Sequence, residues 1–208
     1  MRTSIVFLGG WLGRQGRAEL PPPGGCDLGP RPIDLHLEGL RRLGVVVQES
    51  QGRLVCTAPQ GLRGSRVTLA FPSVGATENI LLAACTAKGE TVITNAAQEP
   101  EIVDLAGFLN AMGGKITGAG KSTVRVEGVK KLHPAHWRVM PDRIAAATWL
   151  AMVCASRGRI CLKEFPTHLL QGVYPVLEEM GAKLRLEERQ VSLVQEGRLR
   201  RVKQLRTM

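Results

Sequence analysis

Three stretches of this chain end alike: Leu40-Arg41-Arg42-Leu43-Gly44, Leu109-Asn110-Ala111-Met112-Gly113 and Leu177-Glu178-Glu179-Met180-Gly181. The three glycines stand 69 and 68 residues apart. Each closes a segment of helical period, and glycine takes the left-handed backbone at which a helix stops. Each precedes a strand-like run: Val45-Val46-Val47, Gly114-Lys115-Ile116 and Ala182-Lys183-Leu184. Earlier in each copy Gly16, Gly89 and Gly158 separate a helical stretch from a short strand. Such a period is too long for a solenoid repeat. It suits a compact α/β unit whose sheet cannot bury its apolar face alone, so several units must pack together, with helices inside and sheets outside or the reverse.

The middle copy reads most clearly. Ser73 caps a helix expected over about 74–87, which Gly89 ends. Thr91–Thr94 reads as a strand, Glu99–Met112 as a helix opened by Pro100 in its first turn, and Thr123–Val126 as an alternating strand. The unit is helix, strand, helix, strand, strand, with one more strand expected before the first helix. The segment from Arg2 to Leu12 reads as the opening helix of the first copy, without a cap or a preceding strand. The third copy is followed only by Arg198, Arg200, Arg201, Lys203 and Arg206, a run expected to be solvated. Both ends look cut.

Of the 208 residues, 44% are hydrophobic but only 4% aromatic, so the core must be aliphatic. The net charge of +10 fits solubility or an anionic partner. No nucleic-acid motif is present, and the basic residues are not interleaved with aromatics, so nucleic-acid binding is not expected. No apolar run has the length of a membrane helix, and no signal peptide opens the chain. Five cysteines without a CxxC pair point to free thiols in a reducing cytoplasm. Cys56, Cys85, Cys154 and Cys161 sit in apolar stretches and read as small core residues.

Cys26 differs. It lies in Pro21-Pro22-Pro23-Gly24-Gly25-Cys26-Asp27-Leu28-Gly29-Pro30-Arg31-Pro32, a stretch of rigid prolines and permissive glycines that reads as a loop. A cysteine there is expected to be exposed, and Arg31 would favour its thiolate. Glycine-freed amides together with Arg31 can hold an anion. The competing reading is a structural loop with an incidental thiol. Phe71-Pro72-Ser73-Val74-Gly75 opens a helix with small residues; it suits a phosphate or is a plain capped helix. Gly118-Ala119-Gly120-Lys121-Ser122 mimics a phosphate-binding loop. However, Lys115 stands where the motif needs glycine and a strand follows, so it reads as a tight turn. His36, His133, His136 and His168 show no metal-ligand spacing, and no metal or cofactor is expected.

Pro22-Pro23-Gly24-Gly25-Cys26-Asp27-Leu28-Gly29-Pro30-Arg31-Pro32-Ile33-Asp34-Leu35-His36 resembles the active-loop signature of the UDP-N-acetylglucosamine enolpyruvyl transferases. Met1-Arg2-Thr3-Ser4, Ser73–Thr77, Asn95–Asp104 and Pro141–Ile144 match the same family in register. The resemblance implies a two-domain enolpyruvyl transferase architecture. Each domain is an inside-out α/β barrel of repeated βαβαββ-type units, incomplete here: residues 1–139 hold most of the Cys-loop domain and 140–208 the start of the second.

It implies transfer of the enolpyruvyl group of phosphoenolpyruvate to the 3′-hydroxyl of UDP-N-acetylglucosamine, with release of phosphate, the first committed step of peptidoglycan synthesis and so a requirement for cell shape and division. Cys26 would be the proton donor, carry a covalent adduct and be the residue alkylated by fosfomycin. Arg31, with Cys26, would bind phosphoenolpyruvate. Arg2, Arg31, Pro32, Ile33, Asp34, Leu35, Phe71, Pro72, Ser73 and Val74 would bind the UDP-sugar. The resemblance implies no cofactor, membrane or obligatory protein partner.

The family's Lys-Asn pair would precede Met1. Its base and a further phosphate-binding arginine would follow Met208, so the chain alone is expected to be inactive. The related transferase acting on shikimate 3-phosphate lacks this Cys-loop. A non-catalytic paralogue that binds a UDP-sugar is the alternative.

Overall fold

The computed structural model describes residues 5–21, 33–50 and 52–202. The chain divides into two compact units, Met1–Arg138 and Val139–Met208.

The first unit runs α1 (Phe7–Gln15), β1 (Arg17–Leu20), α2 (Asp34–Arg42), β2 (Val46–Ser50) and β3 (Arg53–Thr57). It continues with β4 (Arg66–Thr68), α3 (Val74–Ala84), β5 (Glu90–Thr94), α4 (Pro100–Ala111), β6 (Lys115–Thr117) and β7 (Thr123–Glu127). The second contains α5 (Arg143–Ser156), β8 (Arg159–Lys163), a short 3-10 helix (Thr167–Leu170), α6 (Tyr174–Glu179), β9 (Lys183–Glu187) and β10 (Gln190–Val194).

The repeat is visible in the sheets. Their orders are β1-β3-β2, β4-β5-β7-β6 and β8-β10-β9. In each copy the last strand sits between the other two and is antiparallel to both. Among the described residues, only the middle copy carries the extra strand expected before its first helix: β4, parallel to β5. Residues 128–142, which precede α5, form no strand. The marker glycines behave as expected, with φ of 91° at Gly44, 92° at Gly113 and 100° at Gly181. Gly118 and Gly120, also at positive φ, shape the turn between β6 and β7 rather than a phosphate loop.

Burial places the helices of the first unit inside and its sheets outside. Seven residues of α3 are buried: Ala76, Thr77, Asn79, Ile80, Leu81, Ala83 and Ala84. A helix buried on most of its circumference is a core element. It packs against α1, α2 and α4. The strands instead alternate, as in β1 and β7, with one face inward and the other in water. The second unit has its own aliphatic core, centred on Leu150, Leu170, Leu177, Val191 and Leu193.

Two details differ from the sequence reading. The first helix, described over Phe7–Gln15, runs three residues beyond Leu12, to where Gly16 at φ 68° donates its N–H to Leu12 O. Residues 1–4 lie outside the described set. Cys161 is exposed, whereas Cys56, Cys85 and Cys154 are buried. The reason is the two-residue period of β8: Arg159, Cys161 and Lys163 share its solvent face, while Ile160 and Leu162 turn inward.

Candidate active site

Of the residues expected to act, Arg2, Cys26, Arg31 and Pro32 lie outside the described residues. Ile33, Asp34, Leu35, Phe71, Pro72, Ser73 and Val74 are described, and they belong to the starts of two helices. Ile33 is the N-cap of α2, and Asp34 is its first residue, a carboxylate at the positive end of the helix. Leu35 is half-buried. Phe71 is 60% exposed, on the connection from β4, and Pro72 beside it is also exposed. Ser73 is the N-cap of α3 and Val74 its first residue. The Ser73 hydroxyl accepts from Ala76 N at 3.3 Å, so the capped helix start is real.

These two helix starts meet, and the start of α1 meets them. Gly75 is the contact point. A β-carbon there would lie 3.1 Å from His36 Cε1 and 4.0 Å from Val6 Cγ2, so only glycine fits without displacing the imidazole. Asn79, one turn further along α3, is fully buried and joins the same three segments. Its Oδ1 accepts the N–H of Gly9 on α1. Its Nδ2 donates to Ile5 O at 2.9 Å and approaches His36 Nδ1 on α2 at 3.1 Å. Burial lowers the His36 pKa below the usual histidine value, and the charge of Asp34 acts in the opposite sense.

The described neighbours of residues 1–4, 22–32 and 71–75 are therefore held together at one place. The first-turn amides of α3 end there, a positive dipole end suited to a phosphate. Beside it, a cleft of about 310 Å³ opens between α2 and β4, where Leu35, Glu38 and Arg42 face Arg66, Thr68 and Leu69. Its two guanidinium groups suit an anionic or ribose-phosphate ligand. Further along α3, burial and then the carboxylate of Glu101 raise the pKa of Glu78.

Sequence reasoning missed Asn79, Arg42 and Arg66. For Asn79 a signal existed: a side-chain amide amid Ala76, Ile80, Leu81, Ala83 and Ala84, on a helix with no polar face to spare. For the two arginines none did, because their shared cleft depends on how α2 lies against β4.

Inner helices, outer sheets of three and four strands and a ligand-suited junction of helix starts define an enolpyruvyl-transferase-like α/β domain, and the comparisons agree. The profile described as EPSP synthase (3-phosphoshikimate 1-carboxyvinyltransferase) matches residues 1–207, and the chain belongs to that family. It is 49% identical over 185 residues to UDP-N-acetylglucosamine 1-carboxyvinyltransferase 2 of Caldanaerobacter subterraneus subsp. tengcongensis, covering 89% of this chain and 44% of the relative. It is 46% identical over 199 residues to UDP-N-acetylglucosamine 1-carboxyvinyltransferase of Shewanella sp. (strain ANA-3), covering 95% and 47%.

Among solved structures, the enolpyruvyl transferase NikO from Streptomyces tendae superposes with a TM-score of 0.75 at 23% identity, over 91% of this chain and 46% of that one. EPSP synthase from Acinetobacter baumannii gives 0.65 at 25% identity, over 94% and 46%. The chain thus spans about half the length of the curated relatives it matches.

Proposed function

We propose that this chain is part of a UDP-N-acetylglucosamine 1-carboxyvinyltransferase, which moves the enolpyruvyl group of phosphoenolpyruvate to the 3′-hydroxyl of UDP-N-acetylglucosamine and releases phosphate. The observation that carries the reading is the junction at Gly75, where the described flanks of all three expected ligand-binding segments meet.

Cys26 protonates the methylene carbon of phosphoenolpyruvate, which makes C2 electrophilic toward the sugar hydroxyl or toward the thiolate itself. Arg31 holds the donor's phosphate, and the α3 dipole with Ser73 and Val74 favours the diphosphate of the UDP-sugar. Arg2, Pro32, Ile33, Asp34, Leu35, Phe71 and Pro72 complete the UDP-sugar contacts. The hydroxyl gives its proton to a base as its oxygen bonds C2; C3 then loses a proton as the C2–phosphate bond breaks, which restores the vinyl group and releases phosphate. The reaction needs no metal or redox cofactor, because proton transfer and anion stabilisation suffice. In this reading the protein serves peptidoglycan synthesis from the cytoplasm and is a target of fosfomycin.

The test is phosphate release by the complete polypeptide that contains these residues, given both substrates. Cys26→Ala is expected to cut turnover by about 10²–10⁴-fold, the range for a lost general acid. Unchanged turnover would refute the role of the thiol. The 208-residue chain on its own is expected to release no phosphate, and turnover by it would overturn that expectation. UDP-sugar binding by the complete polypeptide without any phosphate release would favour a non-catalytic binding protein instead.

A further inference from the structure

We infer that Asn79 is a positioning residue: its buried amide locks the starts of α1 and α2 onto α3 and holds His36 as the neutral tautomer protonated at Nε2. The inference rests on the functional reading above for its catalytic consequence, but the lock itself rests on geometry alone.

The orientation of the amide is determined by its backbone partners. The Gly9 N–H can only donate, so the atom facing it is Oδ1. Ile5 O can only accept, so the atom facing it is Nδ2. Nδ2 has no lone pair to offer, so His36 Nδ1, 3.1 Å away, must be the acceptor in that contact. A neutral imidazole that accepts at Nδ1 carries its proton at Nε2. That edge of the ring, Cε1 and Nε2, lies against Gly75, at 3.1 and 3.4 Å from where a β-carbon would stand. Every polar atom of the Asn79 side chain is thus spent on holding the three segments.

The repeat allows a comparison within the chain. Caps Ser73 and Asp142 stand 69 residues apart, as do Leu81 and Leu150, both fully buried, and Cys85 and Cys154, both buried. In that register the counterpart of Asn79 is Thr148. Thr148 is exposed, and its hydroxyl donates to Ile144 O of its own helix at 2.8 Å. The third copy thus places a threonine, not an amide, at this position of its helix.

The experiment separates the lock from simple packing. His36→Asn places an amide oxygen where Nδ1 stood and keeps the acceptor. His36→Leu fills the volume and removes the acceptor, leaving the Asn79 amide short of one partner. In the complete polypeptide, His36→Leu is expected to raise KM for UDP-N-acetylglucosamine by about tenfold or more, the scale on which a misplaced binding group costs activity. kcat should fall less, and His36→Asn should restore most of the loss. A packing role predicts the opposite ranking, so equal KM values in the two variants, or a better one in His36→Leu, would overturn the proposal.

Long-range ¹H–¹⁵N spectra of the 208-residue chain at neutral pH give a second readout. They should show His36 protonated at Nε2, and Asn79→Asp should move the proton to Nδ1, facing the new carboxylate. A wild-type His36 protonated at Nδ1 would also overturn it. If the complete wild-type polypeptide releases no phosphate, the functional reading fails while the spectra still decide the lock.

Discussion

Asn79 and His36 show how one residue's protonation can be decided by neighbours far away in sequence. The lowered pKa of His36 means that the folded protein binds its proton later than the unfolded chain does. Between the ordinary histidine value, about 6.5, and the lower native value, the unfolded state holds more protons. Stability therefore falls as pH drops through that window, and His36→Asn should remove that part of the acid dependence in urea melts. Cys85 behaves in the opposite way. Burial pushes its thiol up to about 11. Its contribution is complete below the ordinary thiol value, about 8.5, and is lost as pH rises toward 11. Native iodoacetamide labelling followed by mass spectrometry should modify Cys161 and spare Cys56, Cys85 and Cys154. Labelling of Cys85 as fast as Cys161 would contradict its burial.

At the scale of elements, α1 and α3 approach closely because α1 turns glycines toward its neighbour. A β-carbon on Gly9 would meet the main-chain oxygen of Asn79, and one on Gly13 would lie 2.6 Å from Thr86 Oγ1. Gly10, between them, faces nothing within 4 Å. The two neighbouring substitutions should therefore have opposite signs in thermal or denaturant unfolding. Gly9→Ala should destabilise by about 1–3 kcal/mol through overpacking. Gly10→Ala should stabilise by up to about 1 kcal/mol, because alanine loses less backbone entropy in a helix. Equal effects would mean that α1 does not lie against α3 as described. The start of α3 offers a further check: Ser73→Ala should cost about 1 kcal/mol through the lost cap alone.

Over the whole molecule, apolar side chains stay in water on two helix faces. Phe7 and Trp11 lie on α1, 6.3 Å apart between ring centroids, and are 64% and 44% exposed. Ile144, Trp149 and Met152 lie on α5 at 59%, 53% and 49%. In the repeat register Trp149 and Met152 correspond to Ile80 and Ala83, which are fully buried in the first unit against its other helices. An exposed face of this kind favours association. The 208-residue chain is expected to self-associate in sedimentation experiments, and Trp149→Glu with Met152→Lys should reduce it. A monodisperse monomer at micromolar concentration would refute the expectation. No helix among the described residues is long and apolar enough to cross a membrane.

What could be read from the sequence was local. Helix stops at Gly44, Gly113 and Gly181, the cap at Ser73, Pro100 opening α4 and the turn at Gly118 each depend on backbone angles within a few residues. The 69-residue register added them up into an α/β repeat. The signature around Cys26 carried the functional reading, and residues 22–32 of it lie outside the described residues. The tertiary structure decided contacts between residues far apart in the chain. Asn79 meets Gly9 across 70 positions, Ile5 across 74 and His36 across 43. Arg42 and Arg66 share a cleft only because α2 lies against β4. No periodicity encodes such meetings, since they arise from how helices of different copies pack. Periodicity finds the face of an element, and only packing determines what that face touches.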